Sequence, residues 1–334
     1  MKKKLKDIYK STVPRMFDRF NIYDKNINNG KHKYFVPMYH RIIKNPQDDP
    51  YNLGMCVTEK TFEQQLNFFE ENFSDISLSE YCQKRQDIEL DNTNYMTLTF
   101  DDGYRDNLDV ALPIINKYKL SSTIFVCSKI FNDSSNYWWD SIINAIKASD
   151  NTNLDLSGLG IDDVKSPVNI KGAHHSAVNE FLFSVWESQR YKDDGFIKEI
   201  ISRLLGDKQE PLVGHLSEQQ VIDISNAGVD IAAHTLTHPD LTSLTLKEAK
   251  YEIEKSKSVM TDLLGKDVNG FAYPAGFKSD EIVRLVKNAG FKYAVSTDSG
   301  VNYRFNPFEV ERIGIPQTTL ADLKRCMSMY SRYN

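Results

Sequence analysis

The sequence predicts an α/β protein built on a parallel (β/α) barrel, with a helical insertion between two barrel strands. Short apolar segments alternate with amphipathic helical segments along most of the 334 residues, and this alternation is typical of parallel sheets and barrels. The alternation stops between about residues 132 and 214 and then resumes. Acidic and histidine side chains follow two of the apolar segments, at the strand ends where such folds carry their active sites.

The predicted elements follow one another in a regular order. Strands are predicted at residues 35–39, 95–100, 122–127, 229–233, 271–273 and 292–296. Helices are predicted at residues 61–72, 106–118, 217–227, 245–264, 279–289 and 319–331. Ser217 and Gly228 are typical of the start and the end of one helix, and Gly265 is typical of the end of another.

The segment from about residue 132 to about residue 214 is predicted to be an insertion over the active-site face of the barrel. It opens with Tyr137-Trp138-Trp139-Asp140 and continues as a helix through Ala148. A polar stretch follows to about residue 173, and further helices are predicted at residues 179–191 and 195–205. The chain therefore divides into a basic helical segment at residues 1–33 and a barrel domain at residues 34–334 that contains the insertion.

Composition and charge are those of an ordinary globular protein. Hydrophobic residues make up 40% and charged residues 26% of the chain, which is long enough to bury a large core. The net charge of −5 provides no basic surface of the kind that binds nucleic acid, so no nucleic-acid partner is expected. The four cysteines are scattered without metal-type spacing, which favours reduced thiols in a cytoplasmic protein.

The N-terminus is basic, with four Lys among the first six residues. No long apolar run follows, because Asp7, Lys10 and Arg15 interrupt it, so neither a signal peptide nor a transmembrane segment is predicted. Residues 5–20 are expected to form an amphipathic helix that either packs on the domain or contacts a membrane surface. The predicted location is the cytoplasm, with peripheral membrane association as the alternative.

Two short motifs contain the ligand types of a catalytic metal centre. Asp101 and Asp102 follow one predicted strand, and His234 and His238 follow another. Each motif by itself is more typical of a turn or a structural pair, but the combination of one carboxylate and two imidazoles at strand ends is typical of catalytic zinc. We therefore predict a divalent cation on Asp102, His234 and His238, with Zn²⁺ first and Co²⁺, Ni²⁺ or Mn²⁺ as alternatives. Asp101 is then the predicted base for the attacking water.

With these motifs the sequence resembles the polysaccharide deacetylases with a NodB-homology domain, carbohydrate esterase family 4. The family's T-F-D-D-G motif is intact at residues 99–103, and its H-[ST]-x-x-H motif is intact at residues 234–238. Its aromatic-Pro-Gly turn is similar to residues 271–276. The likeness runs from about residue 34 to residue 315, with a gap from about residue 130 to about residue 216.

The resemblance implies a distorted (β/α) barrel of the NodB-homology type and the removal of an N-acetyl group from a sugar. It also implies that a backbone N–H in the turn from Tyr273 to Gly276 stabilises the oxyanion. In the family this N–H belongs to an aromatic residue, and the matching position is Ala275. A backbone donor survives that change, whereas a sugar-stacking ring is lost.

The general acid of most family members is a His in a late Leu-x-His motif, and no His follows His238 here. The candidates that remain are His32, His40, His174, His175 and His215. Only His40 ends a predicted barrel strand, which resembles a circularly permuted branch that includes poly-N-acetylglucosamine deacetylases. In that branch the last strand and its acid His come first, so His40 is the predicted general acid; the alternative is a structural residue.

The arginine that orients the catalytic Asp in the family is also missing from its usual place, which is Ala272 here. Arg312 and Arg41 are the candidates to replace it through a two-pronged contact with the carboxylate, and the sequence does not choose between them. Trp139 and its neighbour Trp138 either stack on sugar rings or anchor the insertion on the core.

These inferences predict a metal-dependent hydrolase that removes an N-acetyl group from a sugar or glycan precursor in surface polysaccharide biosynthesis. The expected substrates are cytoplasmic precursors that are linked to a nucleotide or a lipid. One alternative is another amidase or a deformylase of the same barrel. The other is a non-catalytic glycan-binding relative, which the presence of Asp101 and His40 beside the three ligands disfavours.

Overall fold

A closed barrel of seven parallel strands forms the centre of the protein. The computed structural model describes residues 27, 32–48, 54–88, 92–129, 136–161, 166–171, 175–189, 194–303 and 306–331. The expected helix at residues 5–20 lies outside this part of the chain. The barrel strands are β2 (Pro37–Tyr39), β7 (Leu98–Phe100), β8 (Ser122–Val126), β11 (Asp230–Ala233), β12 (Gly270–Ala272), β13 (Tyr293–Ser299) and β14 (Val310–Gly314). The predicted fold class, a distorted (β/α) barrel, is therefore confirmed.

The strands follow their chain order around the barrel, and the first strand closes the barrel against the last. Met38 in β2 is in register with Gly314 in β14 on one side and with Thr99 in β7 on the other. Because all strands are parallel, their carboxyl ends lie at one rim. His40, which follows β2, is thereby brought beside the residues that follow β7.

Two segments predicted as single strands are each divided in two. The residues before Val36 form β1 (Lys33–Phe35) and the residues before Thr97 form β6 (Asn94–Met96). These two pair with each other and with β5 (Ser74–Asp75) in a separate parallel sheet. The prediction of unbroken strands was wrong because the chain changes strand partners at these two positions, while its hydrophobic pattern continues across both of them.

Ten α-helices are described, most of them connecting barrel strands: α1 (Glu59–Asn72), α2 (Leu78–Ile88), α3 (Leu112–Tyr118), α4 (Trp138–Ala148), α5 (His175–Gln189), α6 (Asp194–Leu205), α7 (Glu218–Asn226), α8 (Leu246–Leu264), α9 (Asp280–Asn288) and α10 (Leu320–Tyr330). A π-helical turn (Asn107–Ala111) precedes α3, and 3₁₀ turns occur at Pro46–Asp48 and Pro274–Gly276. Capping boxes at Ser217 and Thr245 start α7 and α8, and Gly265 ends α8 in the left-handed conformation.

The segment between β8 and β11 contains α4, α5 and α6 and has a hydrophobic cluster of its own. Phe181 and Val185 of α5 pack there with Ile142 of α4 and Ile200 of α6, and all four are fully buried. A short antiparallel pair, β9 (Asn153–Leu154) and β10 (Val168–Asn169), joins the same cluster. The remaining short strands, β3 (Arg41–Ile43) and β4 (Cys56–Thr58), pair beside the barrel. Among the described helices, none has the length and apolar character needed to cross a membrane.

Candidate metal centre and active site

The predicted ligands lie at the carboxyl-end rim of the barrel, where sheet hydrogen bonding continues into the motifs. The N–H of Asp101 donates to the carbonyl of Tyr39, and the N–H of His234 donates to the carbonyl of Val126. The hydroxyl of Thr235 accepts from the N–H of His238 at 2.9 Å, so the Thr of this motif sets the turn that returns the second His to the first.

Backbone strain is concentrated at this rim. Five non-glycine residues in the described chain have a positive φ, and four of them belong to the motifs: Asp102, Thr235, His238 and Ala275. Such conformations cost of order 1–3 kcal/mol each and persist where surrounding contacts fix them. Gly103 is required in its turn, because a Cβ there would lie 2.8 Å from Cγ1 of Val126.

Asp102, His234 and His238 have the spacing of a metal site. The Nε2 atoms of both His lie 3.5 Å from Oδ1 of Asp102, and the ligand atoms of all three lie within 4.8 Å of one another. Ligand bonds of 2.0–2.1 Å in a tetrahedron place neighbouring ligand atoms about 3.3 Å apart. The Oδ1 atom of Asp102 is buried without a hydrogen-bond partner, which a cation would supply. The three residues therefore fit a divalent cation.

The imidazole of His234 is oriented by the backbone. Its Nδ1 lies 2.9 Å from the carbonyl of Ala272, so this nitrogen carries the proton and donates, and Nε2 is left to face Asp102. A carbonyl or carboxylate behind a ligand His is the usual arrangement at metal centres. Ala272 is the position where the resemblance expects an Arg, and here its backbone carbonyl contacts a ligand.

Burial and mutual contacts shift the pKa values of all three residues. Burial opposes the charged form of Asp102, but the neighbouring imidazoles outweigh it and hold the pKa of Asp102 below its usual value. Burial, with His234 nearby, lowers the pKa of His238 to about 4, so this side chain is neutral near pH 7 and can donate a lone pair. For His234 burial is outweighed by the contact with Asp102, so its pKa is raised.

Helix α8 stabilises the loop that carries His238 through hydrogen bonds. The Glu252 carboxylate accepts from the N–H groups of Leu236 and Thr237 at 3.0 and 2.9 Å. Sequence reasoning missed Glu252, because it lies 14 residues after His238 within a helix rich in charged residues. The number of residues between Glu252 and the motif does not indicate that the two are in contact.

Asp101 forms its ion pair with Arg312 and not with Arg41. The guanidinium nitrogens of Arg312 donate to both oxygens of Asp101 at 2.7 Å each, and its Nε donates to the carbonyl of Ser296. Burial alone would raise the pKa of Asp101, but Arg312 outweighs it and the pKa is lowered. Arg41 instead pairs with Asp106 at 2.9 Å. The carboxylate of Asp101 is therefore ionised and fixed in orientation.

His40 lines the same cavity as Asp101 and the three ligands. Its backbone carbonyl accepts from the side-chain amide of Asn107 at 2.8 Å, which fixes the turn after β2. His32 contacts Tyr81 and His215 lies among Tyr104 and Tyr137, and neither lines this cavity. His174 and the side chain of His175 lie outside the described part of the chain.

The turn from Tyr273 to Gly276 supplies one uncommitted N–H. The N–H groups of Gly276 and Phe277 donate to the carbonyls of Tyr273 and Pro274 and so close the turn. The N–H of Ala275 takes no part in these bonds. Ala275 lines the cavity. The Tyr273 side chain is buried and its hydroxyl donates to the carbonyl of Phe308, so it lies outside the cavity wall.

The insertion forms the opposite wall of this cavity, which has a volume of about 480 Å³. Trp139 lines it, donates from Nε1 to the hydroxyl of Tyr104 at 2.9 Å, and packs 4.9 Å from the ring of His238. Trp139 therefore both faces the cavity and anchors the insertion. The hydroxyl of Tyr137 donates to the carbonyl of Asp102 and braces the ligand loop. Four residues of α5 that sequence reasoning did not single out also line the wall: Asn179, Leu182, Phe183 and Trp186.

Fold and site together define a parallel barrel whose rim carries a buried carboxylate and two imidazoles beside an arginine-bound second carboxylate. The sequence matches the family described as polysaccharide deacetylase over residues 90–154 and 181–294, which is more than half of the chain. The chain belongs to the polysaccharide deacetylase family. The resemblance seen in the motifs is thereby confirmed.

Individual proteins show the same relationship at low identity. The chain is 19% identical over 270 residues to YxkH of Bacillus subtilis (strain 168), which is named as a polysaccharide deacetylase, and the match covers 80% of this chain and 66% of that protein. The structure is similar to the Streptococcus pyogenes deacetylase PplD in complex with acetate, with a TM-score of 0.58, 20% identity and coverage of 88% of this chain and 98% of that chain. It is also similar to IcaB from Ammonifex degensii, with a TM-score of 0.57, 15% identity and coverage of 90% and 99%. At these identities the structural likeness shows the fold.

Proposed function

We propose that the protein is a metal-dependent deacetylase that hydrolyses the N-acetyl groups of sugar residues in a polysaccharide. The observation that carries this proposal is the meeting of five groups in one cavity: Asp102, His234 and His238 as ligands, the arginine-bound Asp101, and His40. Family membership supports the same reaction class. A non-catalytic relative would have no need for a buried, ionised Asp101 beside an unpartnered Asp102 oxygen.

Asp102, His234 and His238 would hold a divalent cation, which would polarise the acetyl carbonyl and lower the pKa of the attacking water. Asp101, held ionised by Arg312, accepts the proton of that water. The N–H of Ala275 donates to the oxygen that gains negative charge. His40 donates a proton to the amine that leaves. Acetate and a free amino sugar are the products, and a similar structure was determined with acetate bound.

Zinc is the proposed metal, because two neutral imidazoles and one carboxylate are the ligand set of catalytic zinc sites. Co²⁺, Ni²⁺ and Mn²⁺ accept the same ligands and are alternatives to be compared in the assay. We further propose that the substrate belongs to surface glycan biosynthesis and that the protein works in the cytoplasm, peripherally at the membrane if its basic N-terminal segment binds there.

The test is acetate release from an N-acetylglucosamine polymer by the full chain, after removal of metal by a chelator and after addition of Zn²⁺, Co²⁺, Ni²⁺ or Mn²⁺. We expect activity that disappears with the chelator and returns with metal. Asp101→Asn should lose roughly two to four decades of activity while retaining metal, whereas Asp109→Asn, an exposed carboxylate nearby, should not. Metal-dependent release from a formamide or a cyclic amide, with none from acetylated sugars, would instead support the amidase alternative.

A further inference from the structure

Helix α5 of the insertion has apolar side chains on two faces, and only one of these faces packs into the insertion's own hydrophobic cluster. Val178, Phe181 and Val185 point into the insertion's own hydrophobic cluster and are almost completely buried. Asn179, Phe183 and Trp186 follow the spacing i, i+4, i+7 on another side of the same helix and line the cavity. A helix that is apolar on two sides covers something on each of them.

The second face presents aromatic rings to the cavity. The centroids of Phe183 and Trp186 lie 5.7 Å apart, and Trp186 stacks on Phe277 at 5.7 Å with an interplanar angle of 20°. Phe277 directly follows the turn that contains Ala275. The rings therefore form a band from the insertion to the rim of the barrel. Phe183 is 62% exposed, and an exposed aromatic side chain on a cavity wall beside a reactive centre indicates a ligand contact.

Asn179 adds a polar group to this band. Its side-chain oxygen is buried and has no hydrogen-bond partner, although buried polar atoms are nearly always paired. Because Asn179 lines the cavity, a hydroxyl or amide of a bound molecule is one partner that the geometry allows. Flat apolar rings beside an amide suit a pyranose, which has C–H groups on its faces and hydroxyls at its edge.

The charge of the wall restricts the ligand further. None of the described residues that line the cavity is Lys or Arg. Phosphate groups are recognised by such side chains or by helix N-termini. A diphosphate linked to the sugar therefore lacks a partner in this part of the cavity.

We propose that Phe183, Trp186 and Asn179 form a subsite for an uncharged sugar ring next to the one that carries the reacting acetamide. This subsite fits the polysaccharide substrate proposed above and disfavours the nucleotide- or lipid-linked precursor expected from the sequence. This inference rests on the proposed deacetylase function, and the experiment separates the two.

The experiment measures kcat and KM of the zinc-loaded full chain on β-1,4- and β-1,6-linked N-acetylglucosamine oligomers of one to five residues, and on UDP-N-acetylglucosamine. We expect kcat/KM to rise with length and to be higher for the pentamer than for the nucleotide sugar. Phe183→Ala and Trp186→Ala should each lower the pentamer-to-monomer ratio of kcat/KM by about five- to tenfold, mainly through KM. Trp186→Phe should restore most of it. Tyr251→Ala, which removes an aromatic side chain that is 58% exposed on α8, should leave the ratio unchanged.

A wild-type rate that is independent of length, an unchanged ratio in the two α5 variants, or a preference for the nucleotide sugar overturns the subsite. If the wild type releases no acetate, pentamer binding is followed by intrinsic tryptophan fluorescence in wild type and Phe183→Ala. Binding that weakens in the variant would then retain the subsite and refute the deacetylase function. An absence of binding would refute both.

Discussion

Replacing Arg312 by Met is predicted to destabilise the fold and to abolish catalysis while leaving the metal centre occupied. Arg312 is fully buried and its guanidinium donates to both oxygens of Asp101. Met has a similar length and fills the space, but it leaves the Asp101 carboxylate without its counter-charge. The ligands Asp102, His234 and His238 make no described contact with Arg312, so metal stoichiometry should stay at the wild-type value.

The magnitude follows from the burial of both partners. Removing one member of a buried, hydrogen-bonded ion pair costs about 3–5 kcal/mol, because the other charge stays buried. The lost bond from Nε to the carbonyl of Ser296 adds about 1 kcal/mol. Since the pKa of Asp101 is lowered in the folded state, the stability from this pair is present above the unfolded pKa of about 3.9 and is lost as the pH falls through the folded pKa. The free energy of unfolding is therefore measured at pH 7.

A double-mutant cycle by urea denaturation isolates the pair. Asp101→Asn and Arg312→Met should each lower the free energy of unfolding strongly. The loss in the double variant should be smaller than the sum of the two single losses by at least about 2 kcal/mol, because the double variant contains no lone charge. Arg41→Met is the comparison variant, since Arg41 pairs with Asp106 at 2.9 Å in a largely buried position and makes no described contact with Asp101, so its loss should destabilise the fold without abolishing activity. A coupling energy below about 0.5 kcal/mol, or an equal loss of activity in Arg41→Met, would refute the reasoning.

Three further outcomes are expected. His238→Ala should lose tight zinc binding, measured by elemental analysis after dialysis, because two ligands rarely retain a catalytic cation; His215→Ala should keep it, and retention by both would contradict the ligand assignment. His40→Ala should keep its zinc and lower kcat by roughly 10²- to 10⁴-fold, with a larger effect on amides than on activated aryl esters, whose leaving groups need no proton; an equal effect on both would argue against a general acid. Burial raises the pKa of Asp140 to about 7, so this group takes up a proton on folding between about pH 4 and pH 7, and its contribution to stability falls as the pH rises through that window. Asp140→Asn should remove this dependence, changing the slope of the unfolding free energy by up to about 1.4 kcal/mol per pH unit; parallel curves for the two proteins would show that Asp140 does not titrate there.

The barrel and the ligand motifs could be predicted from the sequence because residue type and local order specify both. A carboxylate or imidazole placed directly after an apolar strand lies at the rim whichever way the barrel closes. Asp102 and His234 therefore needed no knowledge of tertiary contacts. The Thr235 hydroxyl and the positive φ of His238 are further consequences of the same short motif.

The choice between Arg312 and Arg41 could not be made from the sequence, because it depends on how the barrel closes. Arg312 lies 211 positions after Asp101 and reaches it because β14 pairs with β2, which pairs with β7. The segment Val310–Gly314 was not predicted as a strand, since it contains Glu311 and Arg312 and an isolated reading assigns such residues to a loop. Burial of Arg312 against a carboxylate is what permits a charged residue there.

The aromatic face of α5 was missed for a different reason. Its apolar residues include Val178, Phe181, Phe183, Val185 and Trp186, which is more than one packing face can take. The sequence therefore contained a signal of a second contact, although not of its partner. The hydrophobic pattern by itself predicts only a helix, and Trp138 and Trp139 are the more prominent aromatic feature of the insertion's sequence.

The two halves of the cavity have separable consequences for the reaction. Asp101, His40 and the ligands come from barrel strand ends and act on the reacting acetamide, so their replacement should change kcat for substrates of every length. Phe183 touches the barrel through no described contact, so its replacement should act only on neighbouring sugar rings. Trp139 belongs to both halves, because it lines the cavity and packs against His238. A Trp139 variant would therefore confound metal binding with substrate binding, and α5 is the part of the insertion on which specificity can be measured by itself.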